Sequence, residues 1–472
     1  MSMDGTNRLA TSIVLAGVIG LTVLMAYTLG LGTGPGWSFP SGDPKAEVAV
    51  VFPDHDDWMD FRQGFVACEA RGLGVIEDET PDAVVMRTEP GGRLVRFRWA
   101  RASGAIETRE VIEGLVSEAG TAPVAVVGSI NTALTVELAE ALAARPNGPA
   151  LLVPWATADH ASGASITRTE GAEGEPTLLG LHPGRAFRFA PSNHRLAEEV
   201  VRIAGQGGDQ RPPGRVVVVI DRNDPYAIDL AREFEGAIAR AWPALGVSRL
   251  EGEGPSPGLS DEPGPSEVEA ARRLWDLARE AVSVPTWVVL PLQAEPTRRM
   301  VRALSAQVAA APSDGPRPDL KVICGDGIGP DSLDRLGPSL PFGVWCVSTD
   351  LAIGQGADLP RDAQVPAEIV AALLHLIDEA SGPITADTVV AGLRSLDIAA
   401  GERSAFGRPL AFDASGERRE GALGLVLERP PGSREVLAFR PSLADAAASR
   451  RREGDEPPGG RGASRAGERF GR

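Results

Sequence analysis

RVVVVIDRNDPYAIDLAREFEGAI, residues Arg215 to Ile238, begins as an unbroken apolar run, turns polar and resumes with helical periodicity. Val216 to Ile220 leave no polar face for solvent, as in a parallel strand covered by helices on both sides. Ala227, Leu230, Ala231, Phe234, Ile238 and Ala241 recur at three- and four-residue steps, with Asp229, Arg232, Glu233 and Arg240 mostly opposite, so the second half is an amphipathic helix. The unit is β-loop-α. Its loop, Asp221 to Tyr226, sits at the carboxyl end of a strand, where open parallel sheets bind ligands.

The same alternation extends along the chain. Strand-like runs occur at Glu47–Phe52, Leu94–Trp99, Val124–Val127, Ala150–Val153, Val216–Ile220, Thr286–Leu290, Leu320–Cys324 and Phe342–Val347. Helical patterns lie at about Asp57–Arg71, Ile106–Glu118, Ala133–Ala144, His194–Ala204, Tyr226–Ala241, Glu267–Val282, Pro296–Ala310 and Asp362–Ala380. This order predicts an α/β fold with parallel sheets flanked by helices, and more strands than one compact sheet needs, hence two lobes. LAFDASGERREGALGLVLE, from Leu410, predicts a closing β-hairpin around Asp413–Gly416. The acidic Pro/Gly stretch Glu251–Ser266 and the Pro/Gly/Arg-rich tail from Arg440 carry no apolar periodicity.

The 472 residues carry a formal charge of −17, which argues against general nucleic-acid binding. The three cysteines, Cys68, Cys324 and Cys346, lack the paired spacings of a zinc or CxxC redox site. Cys324 and Cys346 end apolar runs and are either ordinary buried thiols or, in an oxidising compartment, a pair. At the N-terminus Ile13 to Leu31 is uncharged and largely apolar, long enough at helical rise to cross a bilayer core of roughly 30 Å. No lipobox cysteine or clear cleavage site follows, so an uncleaved anchor is expected, with residues 1–12 cytoplasmic and 32–45 a linker.

No GxSxG, HExxH, Walker or strand-to-helix GxGxxG motif is present, so no catalytic constellation is expected. Three strand-end loops carry polar groups instead. PDHDDW, Pro53–Trp58, places Asp54, His55, Asp56 and Asp57 at a helix start, where they cap the helix or meet an ammonium group or divalent cation. VVGSINTAL places Ser129, Asn131 and Thr132 before a helix, and LLVPWATA places Trp155, Ala156 and Thr157 after the next strand. Hydroxyls beside free helix-start N–H groups make a neutral anion site able to hold a carboxylate; N-capping by Thr132 is the alternative. GDGIGPDS, from Gly325, lacks the lysine and glycine spacing of a phosphate loop and is a turn.

These stretches, with FRFAPSNHRLAEEVVRIA, VPTWVVLPLQAEPTRRMVRAL, PAEIVAALLHLIDEA and FGRPLAFDASGERR, resemble in order the type I periplasmic binding fold of branched-chain amino-acid (leucine/isoleucine/valine) solute-binding proteins serving ABC importers. The resemblance covers most of residues 46–428. It implies one lobe from 46–186 and 318–400, a second from 187–317 and 401–440, and a tail over 441–472. It further implies that Thr132 and Ala133, with Trp155 and Thr157, hold an amino acid's carboxylate and ammonium, that Tyr226 caps the ligand from the second lobe, and that Glu251 or Glu253 meets the ammonium. Asn131, Asp54 and Trp58 complete the expected ligand set. The implied protein is no enzyme, has no cofactor or metal, and is anchored on the extracytoplasmic side, delivering an amino acid or amide-like metabolite to ABC permease subunits. A non-transport envelope regulator built on the same fold is the other reading; neighbouring genes for wall synthesis would favour it, and genes for permease and ATPase subunits would favour the first.

Overall fold

The computed structural model describes residues 46–117, 122–145, 147–161, 176–206, 212–252, 262–280, 282–311, 317–326, 328, 336, 340–348, 361–399, 409–419, 424–429 and 433–439. The chain begins β1 (Ala46–Phe52), α1 (His55–Ala70), β2 (Val75–Thr80), β3 (Ala83–Arg87), β4 (Leu94–Arg101), α2 (Ala105–Ser117), β5 (Ala125–Val127), α3 (Thr132–Ala143), β6 (Ala150–Val153), β7 (Ala186–Arg188) and α4 (Asn193–Gln206). It continues β8 (Arg215–Asp221), α5 (Pro225–Ala241), β9 (Val247–Gly252), α6 (Pro265–Glu280), β10 (Thr286–Leu290), α7 (Ala294–Ala310), β11 (Leu320–Cys324) and β12 (Gly343–Ser348). The last elements are α8 (Arg361–Glu379), α9 (Ala386–Ser395), β13 (Asp397–Ile398), β14 (Leu410–Ala411), β15 (Gly424–Arg429) and β16 (Ser433–Phe439).

Two seven-stranded sheets result. The first runs β2-β3-β4-β1-β5-β6-β7 and the second β16-β15-β12-β11-β10-β8-β9. In the first, β4, β1, β5, β6 and β7 are parallel. In the second, β12, β11, β10, β8 and β9 are parallel, β15 runs against β12, and β16 runs against β15. Val216 to Ile220 of β8 are buried between β10 and β9, as their unbroken apolar run requires. Both faces of each sheet are covered, giving two apolar layers per sheet.

The lobe boundaries differ from those expected. Leu320–Cys324 and Gly343–Ser348, expected in the first lobe within 318–400, extend the second sheet through pairing with β10 and with each other. Residues 410–412, expected in the second lobe, pack on the first core, where Phe412 meets Phe187 and Phe189 at 5.4 and 5.1 Å. A short apolar strand carries no mark of which sheet it joins; long-range pairing decides it. The turn at Asp413–Gly416 does form, with Gly416 N donating to Asp413 O at 3.1 Å and Gly416 at φ +89°, where the Ala186 carbonyl leaves no room for a Cβ. Its arms pair as a short hairpin, Phe412 bridging Arg418 antiparallel and Arg419 N donating to Ala411 O at 2.9 Å; farther out β14 also pairs with β13, and Gly424–Arg429 pairs with β12 and β16.

Cys324 and Cys346 are register partners on β11 and β12, both buried and free, with a hydrogen bond between their thiols. That contact and burial raise the Cys324 thiol well above its ordinary value. Cys68 is buried in the first core, donates to Ala367 O at 3.2 Å, and burial pushes its thiol up to about 12. No helix among the described residues is long and apolar enough to cross a membrane; the run Ile13–Leu31, the linker 32–45, Glu253 and the tail 441–472 lie outside the described residues.

Candidate functional site

β5 and β6 are parallel neighbours, so the loops that follow them leave the same edge of the first sheet. In the first loop Asn131, not Thr132, caps α3: Asn131 Oδ1 accepts from Leu134 N at 2.9 Å. Thr135 Oγ1 donates to Asn131 O at 2.7 Å and accepts from Ser129 N at 3.2 Å. With capping done one residue earlier, Thr132 Oγ1 is left buried without a hydrogen-bond partner among the described residues, and so is Ser129 Oγ. Thr157 Oγ1, in the loop after β6, is in the same condition. Each such atom costs roughly 1–3 kcal/mol when desolvated and unpaired, so the edge holds several hydrogen-bonding groups that the protein itself does not satisfy.

The β6 loop is fixed from below and from across the lobes. Arg188, fully buried at the end of β7, donates Nη1 to Thr157 O and Nη2 to Ala158 O, both at 2.7 Å, and lies 3.6 Å from Asp159 Oδ1 and 3.4 Å from Glu417 Oε1. Burial raises the carboxyls of Asp159 and Glu417, and the Arg188 charge opposes that rise. Asn193 N donates to Thr157 O at 2.7 Å, which brings the start of α4 to the same loop. Asn193 Nδ2 donates to Asp229 Oδ2 at 2.9 Å, while its Oδ1 is buried and unpartnered among the described residues. Asp229, on α5, also accepts from Asp159 N at 2.8 Å and His160 N at 3.0 Å. The second-lobe helix is thereby tied to the first-lobe loop, and α3 lies against α5.

Tyr226 is 5 % exposed, in the apolar layer beneath α5, and its hydroxyl donates to Asp326 Oδ1 at 2.7 Å. Its ring passes so close to Gly325 that a Cβ there would collide with the hydroxyl and Leu230. The hydroxyl expected to face a ligand is thus engaged by the loop after β11. Trp155 is half-buried with its ring 5.4 Å from Phe52, at the edge of the first core, and Ala133 is exposed in the first turn of α3. Glu251 is ion-paired with Arg222 on the rim of a cavity of about 220 Å³ between β8, β9, α6 and α7, which Leu250, Leu292 and Met300 floor.

Trp58 corrects the sequence reading. It is fully buried in the first core, stacks with Phe61 at 6.3 Å and donates Nε1 to Pro81 O at 2.7 Å, so it lines no ligand site. The neighbouring Asp54 is the exposed cap of α1, its Oδ1 accepting from Asp57 N at 3.0 Å. Asp57 is half-buried, with Oδ2 unpartnered among the described residues; burial first, then the Asp54 charge, pushes its carboxyl up to about 7. The protonated form is favoured in the fold, so the stability it contributes is present below the ordinary carboxylate value and lost as pH rises through about 7. Asp57→Asn is therefore expected to match wild type near pH 3.5 and to exceed it near pH 8. Solvent screening of this half-exposed group reduces the full linkage value to about 1–2 kcal/mol. Urea titrations at the two pH values check it, and a mutant no more stable at high pH would place the charge elsewhere.

Missing from the sequence reading are Arg188, Asn193 and Asp229. Their only local signal is polarity inside apolar strand and helix patterns, as in FRF at residues 187–189 and on the buried side of α5.

The match to solved structures decides the fold. The leucine-binding protein of Thermotoga maritima superposes with TM-score 0.58 at 12% identity, covering 84% of this chain and 99% of that one. The fold is that of type I periplasmic binding proteins. An ABC transporter substrate-binding protein from Desulfitobacterium hafniense in complex with Leu is similar at TM-score 0.56 and 15% identity, covering 83% and 99%. The closed leucine-, isoleucine-, valine-, threonine- and alanine-binding protein of Brucella ovis is similar at TM-score 0.57 and 10%, covering 85% and 94%. No family model matches the sequence and no curated protein is similar to it.

Proposed function

We propose that the chain is an extracytoplasmic solute-binding protein, tethered by its N-terminal apolar run, that takes an amino acid or amide-like metabolite between its lobes and delivers it to ABC permease subunits. The observation that carries this reading is the set of buried, unpartnered hydroxyls of Ser129, Thr132 and Thr157 on one sheet edge. Hydroxyls of Ser129 and Thr132 at the start of α3, with that of Thr157 in the loop after β6, suit a carboxylate, helped by the positive end of the helix dipole. Asn193 Oδ1, an unpartnered acceptor beside Thr157, suits the ammonium or amide N–H of the same molecule. Fold likeness to amino-acid-binding proteins supports the solute class, and the absence of charge partners on the hydroxyls supports a small zwitterion or amide over a polyanion.

A thermal-shift screen of the full-length chain against amino acids, amides, urea and small acids identifies the ligand, since a molecule bound only by the native state raises the melting point. Thr157→Val, which removes only the hydroxyl, should then weaken that ligand about 10- to 150-fold, the value of a hydrogen bond to a charged group. Without ligand the mutant should be at least as stable as wild type, because a buried unpaired hydroxyl has been removed. Equal affinity in calorimetry would reject the carboxylate role, and no ligand among amino acids and amides would reject the solute class.

A further inference from the structure

The sequence holds five histidines, and two of them, His160 and His194, approach adjacent turns of α5 from separate segments. His160 follows β6, and its Nδ1 lies 3.0 Å from Asp229 Oδ1. His194 is in the first turn of α4, and its Nδ1 lies 2.7 Å from Glu233 Oε2. Asp229 and Glu233 are four residues apart on one helix and so share a face. Donor atoms of His160, Asp229 and Glu233 lie within 4.8 Å of one another.

Charge is unbalanced there. Among the described residues the only ion-pair partners of Asp229 and Glu233 are these two imidazoles. Glu198 is 3.4 Å from His194 Nε2, and Asp159 Oδ2 accepts from His194 N at 2.6 Å, so the surroundings add acid. Arg188 and Arg240 pair with the neighbouring Asp159 and Glu198. With the imidazoles neutral, two carboxylates, one of them at 0 % exposure, stand without a compensating cation, an arrangement of high desolvation cost.

We propose that His160, Asp229 and Glu233 form a binding site for zinc or a similar borderline divalent cation, with His194, its Nδ1 2.7 Å from Glu233 Oε2, positioning that carboxylate. One imidazole nitrogen and two carboxylate oxygens, with solvent in the fourth position, are a zinc donor set, whereas calcium and magnesium take oxygen ligands. The bound cation supplies the two positive charges the carboxylates lack, and the neutral imidazole binds through Nδ1 with its one ring proton on Nε2. Asp229 Oδ2 keeps its bonds from Asp159 N and Asn193 Nδ2, which hold the carboxylate in place while Oδ1 turns to the metal. Entry is from the side of His194, whose side chain is 45 % exposed against 12 % for Glu233. Because His160 belongs to the loop that carries Thr157, the cation braces that loop against α5.

The test uses the full-length chain stripped with chelator and titrated with zinc alone, without amino acid. One equivalent should bind, with a raised melting point, while calcium and magnesium at the same concentration leave it unmoved. Cobalt(II) in place of zinc should give the intense visible absorption of a tetrahedral site. His160→Ala and His194→Ala should each weaken zinc at least about ten-fold and change the cobalt spectrum, while Glu269→Gln on the exposed face of α6 changes neither. Should His160→Ala fail to fold, the partly exposed His194→Ala carries the test. No stoichiometric binding, or zinc binding and a cobalt spectrum unaffected by the histidine substitutions, would overturn the site.

Discussion

Arg188→Met is expected to lower stability by about 3–5 kcal/mol, the range for removing one partner of a buried charge pair. The methionine retains the apolar stem, so the loss isolates the guanidinium. Ala158 O loses the Arg188 donor, Thr157 O is left with Asn193 N, and the carboxylates of Asp159 and Glu417 lose the Arg188 cation. The defect should depend on pH with a definite sign. Both carboxyls are already raised by burial, and Arg188 is what opposes that rise. A carboxyl raised in the fold contributes stability at low pH that is lost as pH rises through its folded value. Removing Arg188 raises both further, so the gap to wild type should be smallest below the ordinary carboxylate range and widen above it. Denaturant titrations at pH 4 and 8 measure this. A gap equal at the two pH values would mean that the carbonyl bonds alone matter. Ligand affinity should fall as well, because the Thr157 loop is held by this side chain.

Arg188 also marks where sequence reading stops. The eight expected strands and the helices between them all form, because apolar runs of four or more residues and three-to-four-residue stripes are local signals. Some unanticipated elements have a weak or mixed signal, whereas β3, AVVMR, and α9 carry apolar patterns of their own. β2 is VIEDET at an exposed edge, β7 is three residues long, and β9 is the edge strand VSRLEG. The assignment of β11 and β12 to a sheet was not local at all, since it depends on register with β10. The site divides in the same way. Thr132 and Thr157 are legible as strand-end hydroxyls, where ligands meet open parallel sheets. Asn193, Arg188 and Asp229 act through partners 30 to 70 positions away, as in Arg188 to Ala158 and Asp159 to Asp229, and no window of sequence contains both ends of such a bond.

Trp58→Ala should cost about 3–5 kcal/mol, the range for truncating a large buried aromatic, and leave solute affinity unchanged. The helix α1 places Trp58, Phe61 and Phe65 at three- and four-residue steps, so all three face the first sheet. Trp58 lies 6.3 Å from Phe61 and 5.9 Å from Phe65, with Arg62 over its ring at 6.0 Å. That stripe is visible in the sequence, but the acidic DHDD immediately before it drew the tryptophan into a polar, ligand-facing reading. Truncation leaves a cavity in a layer already close-packed and removes the donor to Pro81 O, which anchors the β2–β3 turn to the helix. Trp58→Phe keeps part of the ring volume but not the N–H, and should fall between wild type and alanine. Chemical denaturation together with calorimetry on the identified ligand separates the two roles of this residue. Affinity that drops while stability holds would return Trp58 to the ligand set; stability that drops while affinity holds keeps it in the core.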